Sequence, residues 1–382
     1  MDAGEQAPAQ RVTTPAGDPA WHVTRYADVR ALLTDSRLGT SHPDPERASR
    51  LSQSPLFGGP RGGDPETERE NHSRMRRALS SSFAARRMEG LRPRIQAMAD
   101  GLLAEMARHG PPADLHEALS FPLPALVICE LLGVPFEDRQ DFRVWSDDAG
   151  HLSDRPRAMA GLGRLKDYMR QLIERKRREP AEDVISDLIA ARDERGEFSE
   201  DEIAELAAGL LFAGHETTVA AIDKGVQLLL IDPDQREALR RSPELAAQAV
   251  EEILRSPAPI MDARRTGVGG LLRYANASMD VGGAAVEAGD LVMLDHRGAN
   301  CDPSQFADPG RFDVRREANA HLAFGHGPHF CLGAPLARIE LQVVFGTLFR
   351  TFPALRLAVP VDELRPRVGL LTGGFEELPV TW

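Results

Sequence analysis

The sequence predicts a mainly α-helical fold that carries small β-sheets. Three observations support this. Long stretches between about Asn71 and Phe352 repeat apolar residues at helical spacing. One of them, opened at Ser199, is long enough to cross a whole protein. Between residues 258 and 300 the pattern changes to short β-type runs punctuated by glycine. Hydrophobic residues at 42% and charged residues at 27% fit a packed globular chain and exclude a disordered one.

A β-rich region is expected over roughly residues 10–40. Residues 41–66 then collect Ser41, Pro43, Pro45, Pro55, Gly58, Gly59, Pro60, Gly62 and Gly63, which reads as a long loop of the kind that serves as a lid. From about Asn71 to Arg108 the spacing is helical, and Pro111-Pro112 ends it. Further helical blocks run from about Leu115 to Leu132 and from about Glu137 to Arg178, with breaks expected at Gly150, Gly161 and Gly163. Ser199-Glu200-Asp201-Glu202 forms a capping box. The helix it opens can run to Asp232-Pro233, roughly 45–50 Å at 1.5 Å per residue. Ser242-Pro243 opens the next helix and Arg255-Ser256-Pro257 closes it. Met279 to Val281, Ala284 to Val286 and Leu291 to Leu294 supply a small sheet, with Gly282, Gly283 and Gly289 between them. A last long helix spans about Pro335 to Phe352, ahead of a β-like tail. With no internal repeat or low-complexity linker, residues 1–382 read as one domain.

A net charge of -12 argues against nucleic-acid or anionic-membrane binding, which need a positive field. Asp2, Glu5, Arg11, Asp18 and Arg25 interrupt the first thirty residues, so a signal or anchor is not expected there and the cytoplasm is. Cys129, Cys301 and Cys331 are too scattered for a disulfide framework, which leaves a metal-ligand role open. The one basic concentration is Arg74, Arg76, Arg77, Arg86, Arg87, Arg92 and Arg94, opposed only by Glu89. It is either a solvated helix face or a docking surface for an acidic partner.

In Phe324-Gly325-His326-Gly327-Pro328-His329-Phe330-Cys331-Leu332-Gly333, glycines and a proline surround one cysteine just ahead of a helix. The helix dipole and free amides at such a place are expected to lower a thiol's pKa. The plainer alternative is a glycine-rich turn around an inert cysteine. The segment resembles the haem-binding loop of the cytochrome P450 family, Phe-x-x-Gly-x-x-x-Cys-x-Gly, with Phe324, Gly327, Cys331 and Gly333 on pattern. The resemblance implies haem b (iron protoporphyrin IX) with Cys331 as the axial iron ligand. It also implies a triangular prism with the haem between the long central helix and the cysteine loop.

Further motifs follow in the family's order. Ala213-Gly214-His215-Glu216-Thr217-Thr218 lies mid-helix, where Gly costs roughly 1 kcal/mol relative to Ala and Thr can divert its hydroxyl to a preceding carbonyl. Taken alone, this is a broken helix or a tolerated glycine. By resemblance Ala213 and Gly214 border an oxygen-binding groove, and Glu216 and Thr217 are a catalytic acid–alcohol pair delivering protons. A zinc-protease reading fails because Val219 stands where a second His would be needed. Glu252 and Arg255 are three apart on one helix face, an ordinary spacing for a surface ion pair. They match the family's Glu-x-x-Arg, whose structural triad Arg311 is expected to complete. His72, Arg76, Arg273 and His329 are implied as partners of the haem propionates, for which a planar guanidinium is well suited.

The resemblance runs from Trp21 to Trp382 and implies a soluble bacterial class I monooxygenase that hydroxylates, epoxidises or couples a small hydrophobic or amphipathic organic substrate in secondary metabolism. Gly267-Val268-Gly269-Gly270 lacks a third Gly at Leu272, so it is no dinucleotide fingerprint, and no flavin motif is present. Electrons are therefore expected from a ferredoxin and its reductase, docking near Arg74, Arg77, Arg86 and Arg87. The alternatives are a peroxide-using or donor-independent enzyme and a non-catalytic haem protein. Glu216-Thr217 favours the first reading, because peroxide-driven members generally replace that pair. Residues 256–272, including Met261, Asp262, Arg264 and Arg265, are longer and more polar than the family's pattern, so substrate preference does not carry over.

Overall fold

The computed structural model describes residues 9–54, 56, 58–60, 62–196, 198–258, 269–370 and 373–382. Strands β1 (Gln10–Thr13), β2 (Pro19–Val23) and β3 (Leu38–Gly39) flank helix α1 (Tyr26–Leu32). They share a five-stranded sheet of order β1-β2-β8-β5-β3 with β5 (Leu271–Ala275) and β8 (Leu291–Leu294). The first and later β-rich segments therefore meet, through the parallel pair β2 and β8. The hairpin β6 (Met279–Val281) and β7 (Ala284–Val286) and strand β8 fall on the expected residues. A second sheet joins β4 (Ala113–Asp114) and β9 (Arg356–Leu357) to β10 (Pro379–Thr381).

The helix expected to start near Asn71 begins earlier, as α2 (Pro65–Ser80), because the Asp64 side chain accepts hydrogen bonds from the Glu66 and Thr67 amides. A break at residues 81–84 then separates it from α3 (Ala85–His109). The next block divides into a π-helical turn, His116–Ser120, and α4 (Pro122–Leu132). Pro122 has no N–H, and the Phe121 amide instead reaches back five residues to the His116 carbonyl.

Gly150 separates α5 (Arg139–Ala149) from α6 (Arg155–Arg178), but Gly161 and Gly163 do not break α6. Their expected role is corrected by packing: a Cβ at Gly161 would lie 2.6 Å from Ala149 N and Trp145 O. That glycine lets α5 and α6 touch. Helix α7 (Val184–Arg195) precedes α8 (Glu200–Ile231), whose capping box is fully formed by Ser199 and Glu202. Asp232 ends α8 and caps α9 (Pro233–Arg241), and α10 (Ala246–Arg255) follows a 3₁₀ turn at Pro243–Leu245. The short α11 (His296–Ala299) and long α12 (Ala334–Thr351) complete the helices that bear on the site.

Helix α8 is apolar around most of its girth, so it is buried rather than amphipathic. Ile203, Leu211, Ile222, Val226 and Leu229 join Leu341, Val344 and Leu348 of α12 in the main core. The two helices approach closely because Gly225 offers no side chain where the Phe345 ring sits. Whatever precedes α12 is thereby held against the middle of the molecule.

Candidate active site

The segment ahead of α12 is a tight loop. The Cys331 amide donates to the Phe324 carbonyl at 2.9 Å, and the Phe330 amide to the Gly327 carbonyl at 3.0 Å. Gly327 sits at φ +71°, where a Cβ would also lie 2.7 Å from Thr34 Cγ2, so glycine is required twice over. Gly333 caps α12 without a side chain, leaving the Gly333 and Ala334 amides to face Cys331. Cys331 is exposed, whereas Cys129 is buried and Cys301 half-buried.

Burial by the surrounding loop raises the Cys331 thiol above its ordinary value. The two amides and the charges of Arg76 and Arg338 only partly offset this. The lowering expected from the amides at the helix start is present, but burial outweighs it. The residue keeps an accessible side, which leaves the sulfur open to a bound metal.

Helix α2 lies against this loop. The His72 and His329 rings are 4.0 Å apart, and Arg76 donates to the Phe330 carbonyl at 2.9 Å. Strand β5 runs alongside: a Cβ at Gly325 would lie 3.8 Å from Leu271 Cδ1. Two residues further along β5, the buried Arg273 donates to the Leu272 carbonyl at 2.7 Å. The structure thus gathers His72, Arg76, His329 and Cys331, with the strand of Arg273 beside them.

In the centre of α8, Ala213 and Thr217 are exposed, one turn apart on a helix that is otherwise mostly buried. Thr217 Oγ1 donates to the Ala213 carbonyl at 2.7 Å. The break expected at Gly214 is not formed. The helix continues through it, and a Cβ there would lie 2.6 Å from Ile128 Cδ1, so this glycine serves packing against α4. Glu216 does not share the Thr217 face. Adjacent helical positions are roughly 100° apart, and the Glu216 carboxylate is only 4% exposed. It lies 3.4 Å from His215 Nδ1 and 3.8 Å from Arg367 Nη1. The ring of buried His215 stands edge-on to Phe121 at 4.7 Å. Sequence reasoning used His215 only to dismiss a zinc site and missed Arg367, whose irregular surroundings carry no motif.

Beneath the loop, Glu252 and Arg255 form a bidentate pair with both bonds at 2.8 Å, and both side chains are fully buried. The expected third member is corrected. The Arg311 side chain is 66% exposed and lies 3.7 Å from Asp313, and only its carbonyl meets Arg255. Arg316 takes that place, its Nε 3.2 and 3.1 Å from the two Glu252 oxygens, with Asn319 adding a bond of 3.0 Å. The chain turns at Asp308, φ +46°, which brings the carbonyls of Ala307, Asp308 and Arg311 under the Arg316 guanidinium.

The basic stretch is largely neutralised within the chain. Arg74 pairs with Glu202, Arg87 with Asp187 at 2.8 Å, Arg92 with Glu89 and Arg94 with Glu130 at 2.6 Å. Arg77 and Arg86 are exposed. Met261, Asp262, Arg264, Arg265 and most of the unusual segment 256–272 lie outside the described residues. Among those described, no helix is long and apolar enough to cross a membrane.

This donor set fits a planar, dianionic macrocycle with a central metal. It offers one accessible sulfur at a helix start, uncharged small residues on an exposed helix face, and cationic side chains beside the loop. The family model for Cytochrome P450 matches residues 151–370. Pentalenolactone synthase of Streptomyces exfoliatus is 44% identical over 99% of this chain and 94% of its own. Mycinamicin IV hydroxylase/epoxidase of Micromonospora griseorubida is 42% identical over 99% and 93%. Among solved structures, the putative thioether synthase SgvP superposes with a TM-score of 0.89 at 38% identity, covering 99% of this chain and 94% of that one. The pimaricin epoxidase PimD superposes with a TM-score of 0.85 at 41% identity, covering 98% and 93%. A cysteine loop seated on α12, a mid-helix Thr on α8 and end-to-end similarity to these enzymes lead to one conclusion: the chain belongs to the cytochrome P450 family and is a monooxygenase.

Proposed function

We propose that Cys331 ligates the iron of haem b and that His72, Arg76, Arg273 and His329 hold its propionates. Phe324, Gly327 and Gly333 shape the loop, and Ala213 with Gly214 borders the other face. The observation that carries this reading is the placement of an accessible Cys331 at the start of α12 with His72 and Arg76 against the same loop. When bound, the haem supplies the redox centre at which dioxygen is reduced. The enzyme then inserts oxygen into a small hydrophobic or amphipathic organic molecule of secondary metabolism, in the cytoplasm and as a single domain. Relatives named as hydroxylases and epoxidases support that reaction class.

The chain's own share is proton supply and electron entry. Thr217 Oγ1 gives its hydrogen to the Ala213 carbonyl and keeps its lone pairs towards the exposed face, so it accepts a proton and hands one on by rotating. Glu216, one position away, is the acid that replenishes it. A ferredoxin, itself reduced by its reductase, docks on the α2–α3 surface. The exposed Arg77 and Arg86 supply the charge there, and Arg74 and Arg87 border it in their internal ion pairs. The test of the ligand is spectroscopic. Cys331→Ala abolishes the strongly red-shifted Soret band of the reduced carbon monoxide complex, while Cys129→Ala and Cys301→Ala keep it. An unchanged band in Cys331→Ala refutes the assignment.

A further inference from the structure

His116, the first residue of the π-helical turn, meets Asp223 of α8 with 2.9 Å between Nδ1 and Oδ2. Both side chains are buried, at 1% and 0% exposure. The same Asp223 oxygen accepts the Phe375 amide at 3.2 Å. Beside it Gly374 sits at φ +105°, and a Cβ there would lie 3.2 Å from that oxygen, so the glycine lets the backbone come this close. A second carboxylate completes the seam. Asp114 of β4 accepts the His116 amide at 3.0 Å and the Leu378 amide at 2.8 Å.

Polar groups along this seam are only partly satisfied. Among the described residues, Asp223 Oδ1, both polar atoms of the Gln227 amide and Ser120 Oγ are buried without a hydrogen-bond partner. Gln227 follows Asp223 by one turn of α8, and Ser120 follows His116 by four residues in its own turn. Each such atom has lost its hydration without gaining a bond, so the polar part of the seam favours opening. The charge on His116 opposes it, because a buried carboxylate with one bare oxygen is stable only beside a counter-charge. Burial alone would lower the His116 imidazole, but the hydrogen bond to Asp223 and the charge of that carboxylate overcome it and hold the ring above its ordinary value. The other charged groups that bear on the ring are Arg367 of the C-terminal segment, which opposes its charge, and Asp114 of β4 and Glu117 of its own turn, which favour it. Glu117 is itself paired with Arg143 of α5.

We propose that His116 and Asp223 hold the C-terminal segment on α8 as an ion pair and thereby position Arg367 beside Asp147 and Glu216, an arrangement that loosens when the imidazolium loses its proton. The segment folds back on itself between these points. The Arg367 amide donates to the Gly374 carbonyl at 3.0 Å and the Glu376 amide to the Arg365 carbonyl at 2.8 Å, so seating Gly374 and Phe375 on Asp223 seats Arg367 as well. From there its guanidinium bonds Asp147 and lies 3.8 Å from Glu216. Phe375 and Leu378 are packed in the main core, so the seated form stays the main one and the pair sets how often the segment opens. The seated form binds one proton more than the open form, in which the ring returns to about 6.5. Its stabilisation is therefore complete below about 6.5 and is lost as pH rises through the higher value of the seated ring. His116 and Asp223 are positioning residues in this scheme, which holds whether or not Glu216 delivers protons.

The test follows hydrogen exchange of the Arg367, Phe375 and Leu378 amides in the haem-loaded enzyme from about pH 6 to about pH 9, corrected for the intrinsic rate. In the wild type the opening constant rises by up to about tenfold per pH unit, the slope of a single proton, and levels off once His116 is neutral in both forms. In Asp223→Asn, which keeps an acceptor for the Phe375 amide, and in His116→Gln, which carries no charge, opening is already at its high-pH level near pH 6 and shows no such slope. Amides in residues 218–229 of α8 stay protected throughout. The wild type alone supplies a second measurement that needs no variant to fold. In the diamagnetic reduced carbon monoxide complex, nuclear magnetic resonance of the His116 ring, assigned through its own backbone, shows it titrating above about 6.5. Opening in the wild type that does not depend on pH overturns the proposal, as does a slope that survives either substitution. Loss of protection in α8 in step with the three amides, or a His116 ring that titrates at or below about 6.5, overturns it equally.

Discussion

Replacing each of three arginines by alanine separates the buried triad found here from the one that sequence spacing implies. Arg255 is fully buried and bonded twice to Glu252 and to the carbonyls of Asn300 and Pro309. Its removal leaves Glu252 to Arg316 and Asn319 but empties a fully buried guanidinium site and unpairs the Asn300 and Pro309 carbonyls, and breaking such a buried pair costs about 3–5 kcal/mol. Arg316 is 13% exposed, and its loss leaves Glu252 still paired with Arg255, so the cost is that of its charge-assisted bonds, about 2–3 kcal/mol. Arg311 is exposed, and its loss stays within about 0.5 kcal/mol. For 382 residues at about 2.1 cal/mol/K each, unfolding entropy is near 0.8 kcal/mol/K. The melting temperature therefore falls by about 4–6 °C for Arg255→Ala, about 3 °C for Arg316→Ala and under about 1 °C for Arg311→Ala. Thermal unfolding with haem content as a second readout measures all three. Equal losses for Arg311→Ala and Arg316→Ala, or none for Arg316→Ala, refute the exchange of roles.

Two further outcomes test the electrostatics. Arg77→Glu and Arg86→Glu slow reduction by ferredoxin at low salt and converge on the wild-type rate near 1 M, where the Debye length is only about 3 Å, while peroxide-supported turnover does not change. Rates that are salt-independent and unaltered mean a solvated surface. Burial alone would raise the Glu251 carboxyl, but hydrogen bonds from Arg338 and His321 overcome it and hold the group at about 2. A depressed folded-state value stabilises above the unfolded value of about 4.3 and is lost as pH falls towards 2. Acid unfolding of Glu251→Gln, followed by circular dichroism between those limits, is accordingly flatter than that of the wild type. Parallel curves would remove Glu251 from the acid transition.

What the sequence made legible divides along a physical line. The capping box at Ser199, the runs from Met279 to Leu294 and the glycines around Cys331 encode structure through local chemistry, and each lies where its residues place it. Gly161 misled because a glycine that breaks a helix and one that admits a neighbouring helix look alike until the neighbour is known. Arg311 misled for a related reason: a motif fixes the order of residues, but the turn at Asp308 decides which arginine faces Glu252. The separation of Glu216 from Thr217 was legible in principle, since adjacent helical positions cannot share a face. The tertiary contact with Arg367, 151 residues away in an irregular tail, was not. Long-range ion pairs leave no periodicity behind them, because a charged side chain needs only reach and an opposite charge. Reading the Glu216–Arg367 contact from sequence would therefore have required the path of the C-terminal segment past α8 and α5, and nothing short of the fold supplies that path.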